Sequence, residues 1–156
     1  INEFKEFTHY YPNEKLLIIG EGELKSKLER KILNEKLSSK ILLMKPTHNV
    51  HYFMKNAKAF IMPSLWEEVG FVMVEASISN TFVISSDCKN GPKEFLSHGK
   101  AGLLFENNKK KALKNALISF MNHNKKEILE KKILAKKNSA NFSMFRHQIL
   151  LKKILN

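Results

Sequence analysis

Ala59-Phe60-Ile61-Met62-Pro63-Ser64-Leu65-Trp66-Glu67-Glu68-Val69-Gly70-Phe71-Val72-Met73-Val74-Glu75-Ala76 decides how this chain is read. Its first four residues form a continuous apolar run, the signature of a strand buried on both faces. Pro63 stops the run. A short loop follows, with two adjacent acids and the only tryptophan of the chain. Gly70 then opens a second apolar stretch that reads as a helix and carries Glu75 inside it. A strand, a polar loop and a helix start present backbone N–H groups to a ligand, and that end of a helix favours anions. Carboxylates at such a place suit a ligand with hydroxyls for the acids and phosphates for the N–H groups. Two glutamates eight residues apart are also common on solvated helices, but Glu75 lies between Val74 and Ala76, beside an apolar face, where a carboxylate costs free energy to desolvate unless it is hydrogen-bonded.

The same alternation extends in both directions. Leu16-Leu17-Ile18-Ile19 ends at Gly20-Glu21-Gly22, and Ile41-Leu42-Leu43-Met44 ends at Lys45-Pro46. Phe82-Val83-Ile84 runs into Ser85-Ser86-Asp87, and Gly102-Leu103-Leu104-Phe105 reads as a last strand. Between them, residues 23–37 place Leu24, Leu28, Ile32, Leu33 and Leu37 at helical spacing. Residues 50–56 and 92–96 read as short helices, and 71–79 as a helix with Phe71, Val74 and Ile78 on one side. Short, continuously apolar strands separated by helices predict an α/β fold: a Rossmann-like parallel sheet with helices on both faces. Ligands on such sheets sit at the carboxyl ends of the strands. The loops at 20–22, 45–46, 63–70 and 85–90 all fall there, which predicts one shared site.

From Lys109 the pattern is wholly helical. Apolar faces are expected at Ala112, Ala116, Leu117 and Phe120, then at Ile128, Leu129, Ile133 and Leu134. A third follows at Phe145, Ile149, Leu150 and Ile154, after a break near Asn141-Phe142-Ser143. Charge changes at the same point. Residues 1–108 hold 14 basic and 13 acidic side chains, and residues 109–156 hold 13 basic and two acidic, a net +11. The organisation read from this is an α/β domain over 1–108 and a basic helical extension over 109–156 packing on it. Only Arg30 and Arg146 of the 27 basic residues are arginines. Arginine is the usual reader of phosphates and bases, so sequence-specific nucleic-acid recognition is not expected. Two readings of the lysines stand: solvated helix faces, or attraction to an anionic membrane surface.

Other chemistries find little here. A chain of 156 residues, 43% of them hydrophobic, can bury a core. Cys88, the single cysteine, rules out an internal disulfide and lacks a base in sequence. No run nears the roughly 20 apolar residues of a membrane span, and no signal peptide opens the chain. His48 and His51 lack partners to complete a metal set, so no metal is expected. There is no P-loop and no Gly-x-Ser-x-Gly elbow. Gly20-Glu21-Gly22 is explained as well by a tight turn as by a ligand loop.

With these segments in order, the chain resembles the carboxy-terminal domain of the retaining GT-B glycosyltransferases of family 4 (group 1). That family carries two glutamates separated by seven residues, usually as Glu-Gly-Phe-Gly-x-x-x-x-Glu-Ala, and Glu67, Gly70, Glu75 and Ala76 match. Upstream, 17–22 is similar to its strand and Gly-Asp-Gly turn, and 54–64 to its approach to the motif. Downstream, 83–87, 91–96 and 99–105 match its closing elements. The likeness covers about residues 10–125. Glu68-Val69 stand where Gly-Phe is usual. Asn80 and Phe82 replace a Gly and a Pro, and Asn at 80 still tolerates a positive φ.

The resemblance implies transfer of a sugar from a nucleotide diphosphate sugar to a glycan or lipid-linked acceptor, with retention and without a metal or other cofactor. It gives Glu67 the catalytic place, against hydroxyls of the donor sugar, and Glu75 the nucleotide ribose. Gly70, Phe71 and Val72 would offer N–H groups to the diphosphate or sugar. Gly20 and Gly22 would let the backbone pass close to the nucleotide, and Lys45 and Pro46 would border the base. It also implies that the domain's first strand, with its diphosphate-gripping Arg and Lys, and an acceptor-binding amino-terminal domain precede Ile1. The chain alone is then expected to bind donor without turnover. The expected location is cytoplasmic, at or near the inner face of a membrane. Two rival readings are a basic module docking on lipid or nucleic acid and a catalytically inactive paralogue.

Overall fold

The computed structural model describes residues 1–155, apart from the side chains of Met144, Phe145 and Leu150. In chain order its elements are α1 (Asn2–Thr8), β1 (Leu16–Ile19), α2 (Lys25–Asn34), β2 (Ile41–Met44), α3 (Val50–Asn56), β3 (Ala59–Met62), α4 (Phe71–Ile78), β4 (Phe82–Ser86), α5 (Pro92–Phe95), β5 (Leu103–Phe105), α6 (Ala112–Asn122), α7 (Lys125–Ser139) and α8 (Met144–Leu155). Contacts divide the chain into two compact units, Ile1–Val50 and His51–Asn156. The division falls before β3, whereas the charge changes near residue 108. The basic helices α6 and α7 belong to the unit that contains β3, β4 and β5.

In the first unit β1 and β2 pair in parallel, from Leu16 opposite Ile41 to Ile19 opposite Met44. The helix α1 was not legible in the sequence. Its buried Phe4 and Phe7 lie one turn apart, too few residues to establish a period. The stripe expected on α2 is narrower than its leucines suggested, because Ile32 is buried while Leu24 and Leu33 are exposed. Leu37 reaches the core from outside the helix. Lys36 takes a left-handed φ of 55°, and Leu37 N–H donates to the Ile32 carbonyl at 2.8 Å, closing the helix end and turning the chain inward. Lys5 Nζ lies 3.1 Å from a Glu35 oxygen and ties α1 to the end of α2.

In the second unit three parallel strands lie in the order β3-β4-β5, with Ala59 opposite Phe82 and Ile84 opposite Leu103. Every residue of β4 is buried, and α4, α6 and α7 pack against it. The Phe82 and Phe120 rings meet at 4.9 Å. The strand continues two residues past its apolar run, because Ser85 and Ser86 satisfy their hydroxyls on main-chain carbonyls. Cys88 is buried just beyond, consistent with a packing role. The sheet covered on both faces is the architecture expected from the continuous apolar runs.

Three expected helix faces need correction. On α4 the buried residues are Met73, Val74, Ala76 and Ser77, whereas Phe71 is 60% and Ile78 55% exposed. Nearly every residue of that helix is apolar, so spacing could not select the inward side. On α7 the buried residues are Ala135 and Ser139, and Leu129 and Ile133 point outward. Its inner face is fixed by polar groups instead. Lys131 Nζ donates to the carbonyls of Gly99 (2.6 Å) and Gly102 (3.2 Å), and Asn138 Nδ2 to the carbonyl of Phe95 (2.6 Å). Burial pushes the Lys131 ammonium below its ordinary value, against a smaller opposing pull from Glu127. On α8 Ile149 and Ile154 are exposed, while Phe145 and Leu150 lie outside the described side chains. The α6 face at Ala116, Leu117 and Phe120 is buried as expected.

The Glu35 carboxyl is held below its ordinary value of 4.5, first by the hydrogen bond from Lys5 and then by the charges of Lys5 and Lys31, with burial opposing. A carboxylate lowered in this way adds stability that is complete above pH 4.5 and is lost as pH falls through the lowered folded value. Glu35→Gln should therefore lower the unfolding temperature at neutral pH. Its difference from the parent should close as pH drops below 4.5, in thermal unfolding followed by circular dichroism.

Candidate donor-binding site

The loop from Pro63 to Gly70 is tied at several points to other parts of the second unit. At its start, Ser86 Oγ at the end of β4 donates to the Ser64 carbonyl at 2.5 Å. Next, Asn107 Nδ2, just beyond β5, donates to the Leu65 carbonyl at 2.8 Å. Asn107 is held in turn by its own N–H on Asp87 Oδ1 at 2.7 Å. Inside the loop, Ser64 Oγ donates to Glu67 Oε1 at 2.7 Å, which fixes one oxygen of that carboxylate. At the far end Gly91 presses on the main chain. A Cβ there would sit 2.8 Å from the Val69 oxygen and 2.9 Å from the Glu68 oxygen.

Gly70 takes a conformation in which a side chain would be strained. Its φ of 68° is left-handed, and an added Cβ would lie 2.8 Å from Met73 Cε. This conformation turns the chain directly into α4, whose amino end has no side-chain cap. Met73 N–H closes the first turn on the Gly70 carbonyl at 2.8 Å. The leading N–H groups of α4, at Phe71 and Val72, have no carbonyl one turn earlier to bond. Both residues are exposed. Glu67 and Glu75 are half-buried, while Leu65, Trp66 and Glu68 are exposed. The helix ends on Asn80 at φ 61°, with Thr81 N–H on the Ala76 carbonyl at 2.9 Å. Asparagine thus takes the left-handed position that its sequence context allowed.

The remaining predicted residues lie in the first unit. Gly20 and Gly22 follow β1, and Lys45 and Pro46 follow β2. Because Ile19 pairs with Met44, the two loops emerge side by side at one edge, and Gly20 N–H extends the ladder to the Met44 carbonyl at 2.9 Å. All four are exposed, and a Cβ at either glycine would meet nothing within 4 Å. Lys25, three residues after Gly22, lies 3.9 Å from Glu29. Among the described residues, no cluster of three or more His, Cys, Asp or Glu side chains could hold a metal ion.

The sequence singles out Glu67, Glu75 and the helix start as candidates, but not the residues that hold the loop around Glu67. Ser64 belonged to the motif without an assigned task. Ser86 and Gly91 lay in matched flanking segments. Asn107 gave no signal, because its bond to Leu65 spans 42 residues.

Parallel strands with helices on both faces, and a loop-to-helix turn at the carboxyl end of a strand, define the architecture of the carboxy-terminal domain of GT-B glycosyltransferases. The sequence profile of glycosyl transferases group 1 matches residues 1–139, and the chain belongs to that family. It is 43% identical over 96 residues to an uncharacterized glycosyltransferase of Methanocaldococcus jannaschii, covering 62% of this chain and 24% of that protein. It is 27% identical over 142 residues to the poly(ribitol-phosphate) alpha-N-acetylglucosaminyltransferase of Staphylococcus aureus, covering 91% of this chain and 28% of that one. A crystal structure of a TarM mutant from S. aureus, in complex with fondaparinux, alpha-GlcNAc-glycerol and UDP, superposes with a TM-score of 0.86 at 26% identity. That match covers 99% of this chain and 31% of that chain. The chain thus spans between about a quarter and a third of the length of these proteins.

The two glycines of this region should respond differently to a methyl group. Gly91→Ala meets main-chain oxygens that cannot move aside, on top of a φ of 88°. It should cost about 2–3 kcal/mol in urea unfolding. Gly70→Ala meets the flexible end of Met73, and its cost should be nearer the left-handed penalty of about 1–2 kcal/mol.

Proposed function

We propose that this chain is the donor-binding part of a retaining glycosyltransferase. The loop carrying Glu67 and the start of α4 receive the sugar and diphosphate of a nucleotide sugar. The observation that carries this is the pairing of a fixed carboxylate with an uncapped helix start. Ser64 holds one Glu67 oxygen, and Gly70 turns the chain so that the first N–H groups of α4 stay available. Those N–H groups and the positive end of the helix suit the phosphates. The second oxygen of Glu67 suits sugar hydroxyls, whose hydrogen bonds to a carboxylate are stronger than those between neutral groups. Glu75 is half-buried on the same helix and is assigned to the ribose. In the reaction the N–H groups of Phe71 and Val72 stabilise charge developing on the departing diphosphate. Gly20, Gly22, Lys45 and Pro46 are proposed as nucleotide contacts in their own right. UDP in the complex with the staphylococcal relative supports a uridine nucleotide, and the relatives' names support a glycan or polyol-phosphate acceptor. The proposal assigns no metal or other cofactor to the reaction. It places acceptor binding and turnover in the remainder of a longer enzyme.

Isothermal titration of the chain with UDP, UDP-N-acetylglucosamine and GDP-mannose tests the reading. Saturable binding of at least one is expected. Glu75→Gln should weaken it about tenfold or more, the scale of a charged hydrogen bond. In the complete enzyme, Glu67→Gln should lower kcat by about a hundredfold or more while leaving nucleotide affinity within a few-fold. Unchanged kcat for that variant would remove Glu67 from the mechanism.

A further inference from the structure

The helix α7 buries one side and exposes large aliphatic residues on another. Its inner side, at Ala135 and Ser139, packs within the second unit and is tied down by Lys131 and Asn138. Its outer side carries Leu129, 53% exposed, and Ile133, 59% exposed, one turn apart. Helical spacing places Lys125, Lys132 and Lys136 along one margin of this pair and Lys126 and Lys137 along the other. Glu130 is the acid on that side, so five lysines stand against one carboxylate, a local charge of +4. No contact within the second unit requires two large aliphatic side chains to face outward here.

We infer that the outer face of α7 is a docking surface for an anionic lipid bilayer. Leu129 and Ile133 enter the headgroup boundary, and the lysines on either side meet the lipid phosphates. An aliphatic centre flanked by lysines whose stems can also lie on the apolar surface is the composition of a helix that rests in a membrane interface. The other occupants fit less well. The face has no arginine and no aromatic ring, the groups that grip and stack on nucleic acids. A second copy would bring two faces of +4 together. The docking surface lies on α7 alone and does not depend on how Glu67 or Glu75 are used.

Sedimentation of the chain with vesicles tests this in the absence of any nucleotide, so its outcome is separate from that of the donor titration. Vesicles of phosphatidylcholine mixed with about one-third phosphatidylglycerol should bind the chain at low salt, and vesicles of phosphatidylcholine alone should not. Binding should weaken steeply as salt rises and shortens the screening length. Replacing Lys136 and Lys137 together by Gln should weaken it about 30-fold, each lysine near an anionic surface counting for about fivefold. Replacing Leu129 and Ile133 together by Ser should weaken it about tenfold or more, with the fold retained and the unfolding temperature lowered only by about a few degrees, because both side chains are more than half exposed. The proposal fails if the chain ignores anionic vesicles at low salt, or if neither double variant alters the binding. It fails too if a short DNA duplex binds as tightly and the Leu129/Ile133 variant leaves that binding intact. Dimerisation abolished by the same variant would give the face to a second copy and overturn the lipid assignment.

Discussion

The burial of β4 is the constraint from which most of the second unit follows. A parallel strand covered on both sides must be apolar or must satisfy each polar group internally. Phe82, Val83 and Ile84 take the first course, and Ser85 and Ser86 take the second. The hydroxyl of Ser86 finds its acceptor on Ser64, outside the strand, and so fixes the start of the loop that follows β3. Satisfying one buried oxygen thereby positions a segment 22 residues earlier in the chain. Asn107, just beyond β5, reaches Leu65 in the same loop through an exposed hydrogen bond.

The consequence for Glu67 is order. A carboxylate on a free surface loop would spend its binding free energy on immobilisation. Here the loop is held at Ser64, Leu65 and Gly91, and the carboxylate itself by Ser64. The helix start beside it is set by the left-handed Gly70 rather than by a capping side chain, so no serine or aspartate competes for its N–H groups. The site is organised by main-chain geometry and by hydroxyls, with few charges, while the lysine-rich surface belongs to other elements.

Much of this was legible in the sequence for identifiable reasons. Apolar runs of three or four residues ending at Gly20, Lys45, Pro63 and Ser85 located β1 to β4, although only β4 is buried throughout, and Leu17 of β1 and Leu42 of β2 are exposed. The paired glutamates and Gly70 were singled out by their place after the β3 run and by the family resemblance, not by their spacing. Helix faces were legible only where polarity varies. The face of α6 was correct, whereas α4 is too uniformly apolar, and α7 presents aliphatic residues on two sides. The supports of the loop were not legible at all, because Asn107 and Ser86 act across long sequence separations through main-chain acceptors, which leave no compositional trace.

The contact at Gly91 has an effect on how the loop can vary over time. It approaches the main chain of Glu68 and Val69, so it constrains where the backbone runs at those two positions. A randomised library at 68 and 69 would therefore sample side chains on a fixed frame, a convenient starting point for redirecting sugar preference by selection.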